Sequence, residues 1–157
     1  MIYTPMTCRA MRLAYAAHHG QTDKAGLPYI FHPLHLAEQM DDEITVCVAL
    51  LHDVAEDTAV TLDALAQAFP PAVVGPLRLL TRAPGTPYLD YVRALAGDPV
   101  ARTVKLADLA HNLDQSRLAG CPDAVRQRAA ARRQTYEQAR RLLLRAERQK
   151  QEPPGSE

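Results

Sequence analysis

The spacing of the apolar residues is the feature of this sequence that most restricts the fold. Nearly every apolar segment recurs at three- and four-residue intervals, Ala and Leu are abundant, and alternating runs of β-branched residues are absent. This pattern predicts an all-α fold, a compact bundle of several helices. The expected helices lie near 6–19, 33–40, 43–57, 61–68, 71–81, 87–96, 99–114 and 123–146.

Capping signals support several of the helix starts. Thr4, Thr86 and Asp98 each stand directly before a proline, and a capping side chain followed by proline is typical of a helix start. Thr61 predicts another start, because Asp63 would lie in the first turn, where a negative charge is favourable.

The length of 157 residues predicts one domain with one core and one site. We expect the folded domain to cover residues 1–146. Residues 147–157 contain no apolar anchor, so we expect them to form a disordered tail.

The charge balance argues against large anionic partners. Lys plus Arg and Asp plus Glu number 18 each, so neither nucleic acid nor an anionic membrane is expected, and the partner should be a small molecule. Cys8, Cys47 and Cys121 are scattered and lack CxxC spacing, which argues against a disulfide framework or a structural zinc site. The sequence also contains neither a membrane-length apolar run nor a signal-peptide core. These features predict a cytoplasmic protein and leave the oligomeric state open.

One polar cluster interrupts the apolar pattern. The segment LLHDVAEDT contains His52, Asp53, Glu56 and Asp57, which would share one face of a helix at about 100° per residue. Two interpretations compete: the solvated side of an amphipathic helix, or a functional face with one imidazole and three carboxylates.

Two further residues extend the functional interpretation. His32 lies between Phe31 and Pro33, and Asp108 lies inside a helix, where Asp is unfavourable. Taken alone, His32 can be explained as a structural histidine and Asp108 as a solvated aspartate. With His52 and Asp53 they would form a nitrogen and oxygen ligand set that suits manganese, iron or zinc.

Three segments together resemble a known family. HHGQTDKAGLPYIFHP, LLHDVAEDT and VKLADLAHNL, in this order and spacing, resemble the HD-type hydrolase domain of the RelA/SpoT family. The resemblance runs from about residue 6 to about residue 145. It is greatest to the small members, such as metazoan SpoT homologues, which carry a hydrolase and no synthetase.

The resemblance implies an activity and a site. Family members cleave the 3′-pyrophosphate from ppGpp or pppGpp and release pyrophosphate with GDP or GTP. Matched residue by residue, one divalent ion, typically manganese, would be held by His32, His52, Asp53 and Asp108. Glu56 and Asp57 would position and activate the attacking water. The nucleotide would be bound by Lys24, Asn112, Arg132 and Tyr136.

The other histidines have minor expected roles. His111 is expected to be a structural neighbour of the ligands, and His18 could orient the loop that follows it. His19 and His35 are expected at the surface.

Four residues depart from the long family members. Asp23 and Leu109 stand where those enzymes usually have arginine, and Ala25 and Leu27 replace a serine and a glutamate. We interpret all four as changes on the nucleotide side that leave the metal side intact. An adenosine alarmone such as ppApp, or another phosphorylated nucleotide, therefore stays an alternative substrate. A non-catalytic alarmone-binding protein is the remaining alternative, and the acidic pair argues against it.

Overall fold

The fold is a bundle of helices, which confirms the all-α prediction. The computed structural model describes the backbone of residues 1–151 and the side chains of residues 1–149. Within that range the helices are α1 (Pro5–Ala17), α2 (Phe31–Ala37), α3 (Glu43–Leu51), α4 (Val54–Asp57), α5 (Leu62–Ala68), α6 (Pro71–Leu80), α7 (Tyr88–Leu95), α8 (Pro99–Leu113) and α9 (Asp123–Gln151). A short 3-10 helix, Gln115–Leu118, joins α8 to α9. The α1–α2 connection contains one isolated β-bridge, between Thr22 and Pro28.

Most of the predicted helix starts have the expected caps. The side chains of Thr4, Thr61 and Asp98 each accept a hydrogen bond from a backbone amide in the first turn of their helix. The prediction for Thr86 is wrong, because α7 begins at Tyr88, after Pro87, and has no side-chain cap.

The last helix is longer than the sequence predicts. α9 continues through residues 147–151, which we expected to belong to a disordered tail. The rest of that predicted tail, residues 152–157, lies outside the described residues.

Helix α3 lies at the centre of the bundle. Every residue from Thr45 to Leu51 is buried, and the helix packs against α1, α2, α6 and α8. Burial on all sides explains why this helix is apolar all round rather than amphipathic. No helix in the described part of the chain is long and apolar enough to cross a membrane.

The predicted helix over 43–57 is divided in two. α3 ends at Leu51, His52 and Asp53 form a turn, and α4 begins at Val54. The Nδ1 of His52 bonds to the Ala49 carbonyl at 2.8 Å, an oxygen that the amide four residues later would use in a continuous helix. Adjacent side chains do not face each other on a regular helix, so this turn is what brings His52 and Asp53 together.

Helix α3 begins at a strong cap, which yields a stability prediction. The Asp42 carboxylate accepts hydrogen bonds from the amides of Ile44 and Thr45 and from the Thr45 hydroxyl. Partial burial works against ionisation, but these bonds outweigh it and lower the pKa of Asp42. Replacing Asp42 by Ala is expected to lower the free energy of unfolding by about 1–2 kcal/mol in chemical denaturation.

The pH dependence and a neighbouring residue provide the controls. A lowered native pKa means that the Asp42 contribution is present above the ordinary aspartate pKa of 3.8 and is lost as the pH falls through the native value. Asp41 is exposed, so Asp41→Ala should unfold like the wild type. Equal destabilisation by the two variants would contradict the cap.

Candidate metal centre

The four residues of the predicted metal set meet at the centre of the bundle. His32 is on α2, His52 and Asp53 form the α3–α4 turn, and Asp108 is on α8. Asp53 Oδ2 lies 2.9 Å from His52 Nε2 and 3.7 Å from His32 Nε2, and His32 Nε2 lies 3.3 Å from Asp108 Oδ1. One ligand atom from each of His32, His52 and Asp53 falls within 4.8 Å of the others, as a shared ion requires.

The outer ring nitrogens of both histidines are engaged elsewhere. His52 Nδ1 bonds to the Ala49 carbonyl, and His32 Nδ1 lies 2.6 Å from Nδ1 of His111. Burial and the Arg117 charge lower the pKa of His111 to about 4, so its neutral Nδ1 can accept a hydrogen bond from a protonated Nδ1 of His32. In their neutral forms, both histidines would therefore direct an unprotonated Nε2 into the cluster, the tautomer that metal ligation needs.

The donor set fits a divalent ion. His52 Nε2 is buried and, despite its short distance to Asp53, has no hydrogen-bond partner among the described residues. Burial opposes the charge on each member of that pair, but their mutual attraction raises the pKa of His52 and lowers that of Asp53. The cluster thus supplies what a divalent cation needs: an imidazole nitrogen that can act as a ligand and two nearby carboxylates with negative charge.

Two residues that the sequence motifs did not single out, Tyr29 and Lys105, hold the carboxylates of Asp53 and Asp108. The Tyr29 hydroxyl donates to Asp53 Oδ2, and the Lys105 ammonium contacts Asp108 Oδ2 at 2.7 Å. Burial opposes ionisation of Asp108, but the Lys105 charge outweighs it and lowers the pKa of Asp108 well below its usual range. Both residues lie within the quoted motifs, and the three-residue spacing from Lys105 to Asp108 was the available signal.

Lys105 is buried, and its removal is expected to destabilise the metal-free protein. Its side chain is 12% exposed and lies over the rings of Tyr88 and Tyr91. Lys105→Met leaves the Asp108 charge without its main counter-charge, so we expect a loss of about 3 kcal/mol with chelator present. Added divalent ion should narrow this difference, because the ion neutralises Asp108 in its place.

An exposed ion pair is the matched control for Lys105. Arg93 and Asp90 are also three residues apart, but their side chains are 60% and 58% exposed. Arg93→Met should therefore cost less than about 1 kcal/mol and should not respond to metal. Equal losses for both variants in denaturant titrations would contradict the role given to Lys105.

A first cavity opens on the metal centre from the α1–α2 connection. This loop cavity has a volume of about 370 Å³. It is lined by Thr22, Asp23, Lys24, Ala25, Tyr29, His32, Asp53, Asp57, Asp108, Asn112, Asp114, Arg117, Leu118 and Ala129. Two predicted nucleotide-binding residues, Lys24 and Asn112, are therefore beside the metal centre. Asn112 also donates to the Asp108 carbonyl at 3.1 Å and to its carboxylate, so it helps to orient this predicted ligand.

A second cavity lies on the other side of the same carboxylates. This tyrosine cavity has a volume of about 440 Å³. It is lined by His52, Asp53, Glu56, Leu80, Arg82, Tyr88, Tyr91, Lys105, Asp108, Ala131, Arg132, Thr135 and Tyr136. The other two predicted nucleotide-binding residues, Arg132 and Tyr136, are here. Asp53 and Asp108 line both cavities, so the metal centre is where the two cavities meet.

The predicted acidic pair lies at the rim of this junction. Glu56 lines the tyrosine cavity and Asp57 lines the loop cavity. Glu56 Oε2 accepts a hydrogen bond from the Arg82 amide at 3.0 Å, which ties α4 to the turn after α6. Partial removal from water, followed by the charges of Asp53 and Glu56, raises the pKa of Asp57.

The structure corrects part of the interpretation of the four departures. Leu109 is 1% exposed and belongs to the hydrophobic core, so it is not on the nucleotide side. Ala25 does line the loop cavity. Asp23 accepts hydrogen bonds from the amides of Ala25 and Leu27 and pairs with Arg117 at 3.0 Å. Arg117, on the 3-10 helix, therefore places a positive charge beside this loop.

The remaining histidines are placed as follows. His18 is buried, bonds to Gln21 at 2.8 Å, and its ring contacts Tyr29. His111 stacks on His32, and the exposed His35 stacks on His111 in turn. His19 is exposed.

The fold and the ligand set together define an HD domain. The model of the HD domain family matches residues 10–83, which include three of the four predicted ligands, His32, His52 and Asp53. Residues 10–83 therefore belong to the HD domain family. This match confirms the HD-domain part of the resemblance seen in the sequence motifs.

Three proteins with sequences similar to this chain are much longer than it is. A probable GTP pyrophosphokinase of Mycobacterium leprae is 38% identical over 118 residues, which is 67% of this chain and 15% of the relative. The bifunctional (p)ppGpp synthase/hydrolase SpoT of Escherichia coli is 33% identical over 120 residues, 67% of this chain and 17% of the relative. The guanosine-3′,5′-bis(diphosphate) 3′-pyrophosphohydrolase of Aquifex aeolicus is 33% identical over 117 residues, with the same shares. The chain thus spans less than a fifth of these relatives.

One solved structure matches the fold along nearly the whole length of both chains. It is described as a metazoan ortholog of SpoT that hydrolyses ppGpp and plays a role in starvation responses. The match has a TM-score of 0.66 at 22% identity and covers 96% of this chain and 98% of the other. At that identity it supports the fold.

Proposed function

We propose that this chain hydrolyses the 3′-pyrophosphate of a guanosine alarmone, ppGpp or pppGpp, to pyrophosphate and GDP or GTP. The observation that carries the proposal is the position of the metal centre, between two cavities whose walls contribute Lys24, Arg82, Arg117 and Arg132. Cations on both sides of an acidic metal site suit a substrate with several phosphate groups. The names of the Escherichia coli and Aquifex aeolicus relatives support the same reaction.

We propose that His32, His52, Asp53 and Asp108 hold one divalent ion, with manganese as the first choice. The set offers imidazole and carboxylate and no thiolate, which suits manganese, iron or zinc. When bound, such an ion lowers the pKa of water and polarises a phosphoryl oxygen.

Glu56 and Asp57 are the proposed residues for handling the water proton. The Arg82 amide holds one oxygen of Glu56 in place, so the carboxylate keeps a defined direction at the rim of the site. The raised pKa of Asp57 makes its carboxylate a better proton acceptor than an ordinary aspartate. The two carboxylates flank the metal centre from the two cavities, where an attacking water would need a base.

The proposed substrate contacts are also divided between the loop cavity and the tyrosine cavity. Lys24 and Arg132 supply positive charge for phosphate oxygens on either side of the metal centre. Tyr136 packs near Tyr88 in the tyrosine cavity and presents an aromatic surface to a base or ribose. Asn112 bonds to Asp108 through its amide nitrogen, which leaves its amide oxygen to accept from the ligand.

The test is product analysis with the purified protein. The protein is incubated with ppGpp and with ppApp, in manganese and in chelator, and the products are separated by chromatography. We expect pyrophosphate and GDP from ppGpp in manganese and no reaction in chelator. The ppApp reaction measures base preference directly.

Other outcomes identify the alternatives. Orthophosphate as the product would indicate another phosphohydrolase of this domain family. Binding of ppGpp without turnover would indicate a sensor. We also propose a cytoplasmic location, because Cys8, Cys47 and Cys121 are all free thiols, as is usual in a reducing compartment.

A further inference from the structure

A third cavity lies beside the metal centre, between the α1–α2 connection and the first turns of α9. This arginine cavity has a volume of about 180 Å³ and is lined by Lys24, Val125, Arg128, Ala129 and Arg132. It shares Lys24 and Ala129 with the loop cavity and Arg132 with the tyrosine cavity. The arginine cavity is therefore adjacent to both larger cavities.

The walls of the arginine cavity carry an excess of positive charge. None of Lys24, Arg128 and Arg132 forms an ion pair with a carboxylate among the residues whose side chains are described. By contrast, Arg126 and Arg133 on the same helix pair with Asp123 and Glu137. Like charges around one small cavity repel each other, and a bound anion removes that repulsion.

Lys24 is partly buried and lies near other cations. Partial burial and the charges of Arg132 and Arg117 lower the pKa of Lys24, against the opposing effects of Asp108 and Asp23. The two arginine charges thus act on the ammonium together with its burial, and Asp108 and Asp23 act against them. An anion in the arginine cavity would stabilise the charged form of Lys24.

The two arginines are arranged to act together. Arg128 and Arg132 are four residues apart on α9 and share one helix face. The Arg128 Nε donates to the Ala124 carbonyl at 3.2 Å, which holds the stem along the helix and leaves the terminal nitrogens for a ligand. A guanidinium offers two parallel donors, the arrangement that matches the oxygens of a phosphate group.

We propose that Lys24, Arg128 and Arg132 bind a diphosphate group at a distance from the metal centre, and that this group is the 5′-diphosphate of the nucleotide. The inference rests on the proposed function and adds a requirement to it. With the 3′-pyrophosphate at the metal centre, the 5′ end is the other anionic end of the same molecule. The site would then select nucleotides that are phosphorylated at both ends.

Binding of simple nucleotides tests this site apart from catalysis. GDP and guanosine are titrated calorimetrically, with chelator present, into the wild type, Arg128→Gln and Arg140→Gln. Arg140→Gln is the control because it removes the same charge at a distant position. Arg140 is an exposed residue of the same helix, about 18 Å further along at 1.5 Å per residue. We expect Arg128→Gln to weaken GDP binding by about tenfold and Arg140→Gln to change it by less than about twofold. Guanosine binding should be equal in all three proteins.

Kinetics provide the second measurement. Arg128→Gln should raise KM for ppGpp by about tenfold with kcat nearly unchanged. For guanosine 3′-diphosphate, which lacks the 5′ group, the variant and the wild type should have the same KM. Higher salt should weaken GDP binding to the wild type more than to Arg128→Gln.

The outcomes separate this inference from the proposed function. Equal GDP affinity and equal KM in Arg128→Gln and Arg140→Gln would overturn the site even if ppGpp is hydrolysed. GDP binding that depends on Arg128, without hydrolysis of ppGpp, would support the site and refute the proposed function. Inorganic pyrophosphate, the released product, is the other source of the same chemistry. A loss of pyrophosphate affinity in Arg128→Gln with GDP affinity unchanged would overturn the assignment to the 5′ end.

Discussion

An Asp53→Ala variant is expected to lose pyrophosphate release by about a thousandfold and to bind the divalent ion at least about a hundredfold more weakly. The reason is geometric: Asp53 Oδ2 is the atom that approaches both ligand histidines, at 2.9 Å and 3.7 Å. The same oxygen accepts the Tyr29 hydroxyl hydrogen bond. Without it, His52 and His32 face each other with no negative charge between them, and the set loses the ligand that joins the α3–α4 turn to α2.

Two measurements and one control test this expectation. Turnover is measured as pyrophosphate released from ppGpp, and metal affinity is measured by calorimetric titration. Asp90→Ala is the control, because Asp90 is an exposed partner of Arg93 on α7 and should leave both quantities unchanged. Circular dichroism shows whether each variant retains its helices. Turnover by Asp53→Ala at the wild-type rate would refute the metal-dependent reaction.

The helices could be predicted from the sequence because their signals are local. Thr4, Thr61 and Asp98 cap helices within a few residues of themselves, and the apolar spacing repeats within each helix. The break at His52 is different, because it involves a hydrogen bond from an imidazole ring to a backbone carbonyl. The apolar pattern continues through the break, so the spacing alone predicts one helix where the structure has two.

The site could be predicted only in part, for the same reason. The four proposed ligands could be predicted because they fall in motifs of a known family, and three of them lie within the HD-domain match. The contacts that orient and balance them join distant parts of the chain. Tyr29 reaches Asp53, and Arg117 reaches Asp23, across 24 and 94 residues. A single sequence does not encode such pairs in its spacing.

Leu109 was placed on the nucleotide side by its position in the sequence, and the structure shows that this placement is wrong. Its position next to Asp108 suggested a place on the nucleotide side, because the long relatives usually have arginine there. On a helix, however, adjacent residues point about 100° apart. Asp108 faces the metal centre, and Leu109 faces the core. The Leu109 difference therefore concerns packing in this chain, whereas Asp23 and Ala25 do line the loop cavity.

A Glu56→Gln variant separates water activation from metal binding. We expect turnover to fall by about a hundredfold to ten-thousandfold, because the amide cannot accept the proton of the attacking water. Metal affinity should stay within about twofold of the wild type, because Glu56 is exposed at the rim and its carboxylate accepts a hydrogen bond from the Arg82 amide. The Gln side chain keeps an oxygen that can accept the Arg82 amide, so the tie between α4 and the turn after α6 is preserved.

The comparison between the two carboxylate variants is the decisive part of this experiment. Asp53→Ala should lose metal and turnover together, whereas Glu56→Gln should lose turnover alone. Glu38→Gln, an exposed change of the same kind at the end of α2, should lose neither. If Glu56→Gln weakens metal binding as much as Asp53→Ala does, Glu56 is a ligand and the water must be activated by Asp57. If it changes neither quantity, the proton is taken elsewhere, and Asp57, whose raised pKa already favours proton uptake, becomes the base to test.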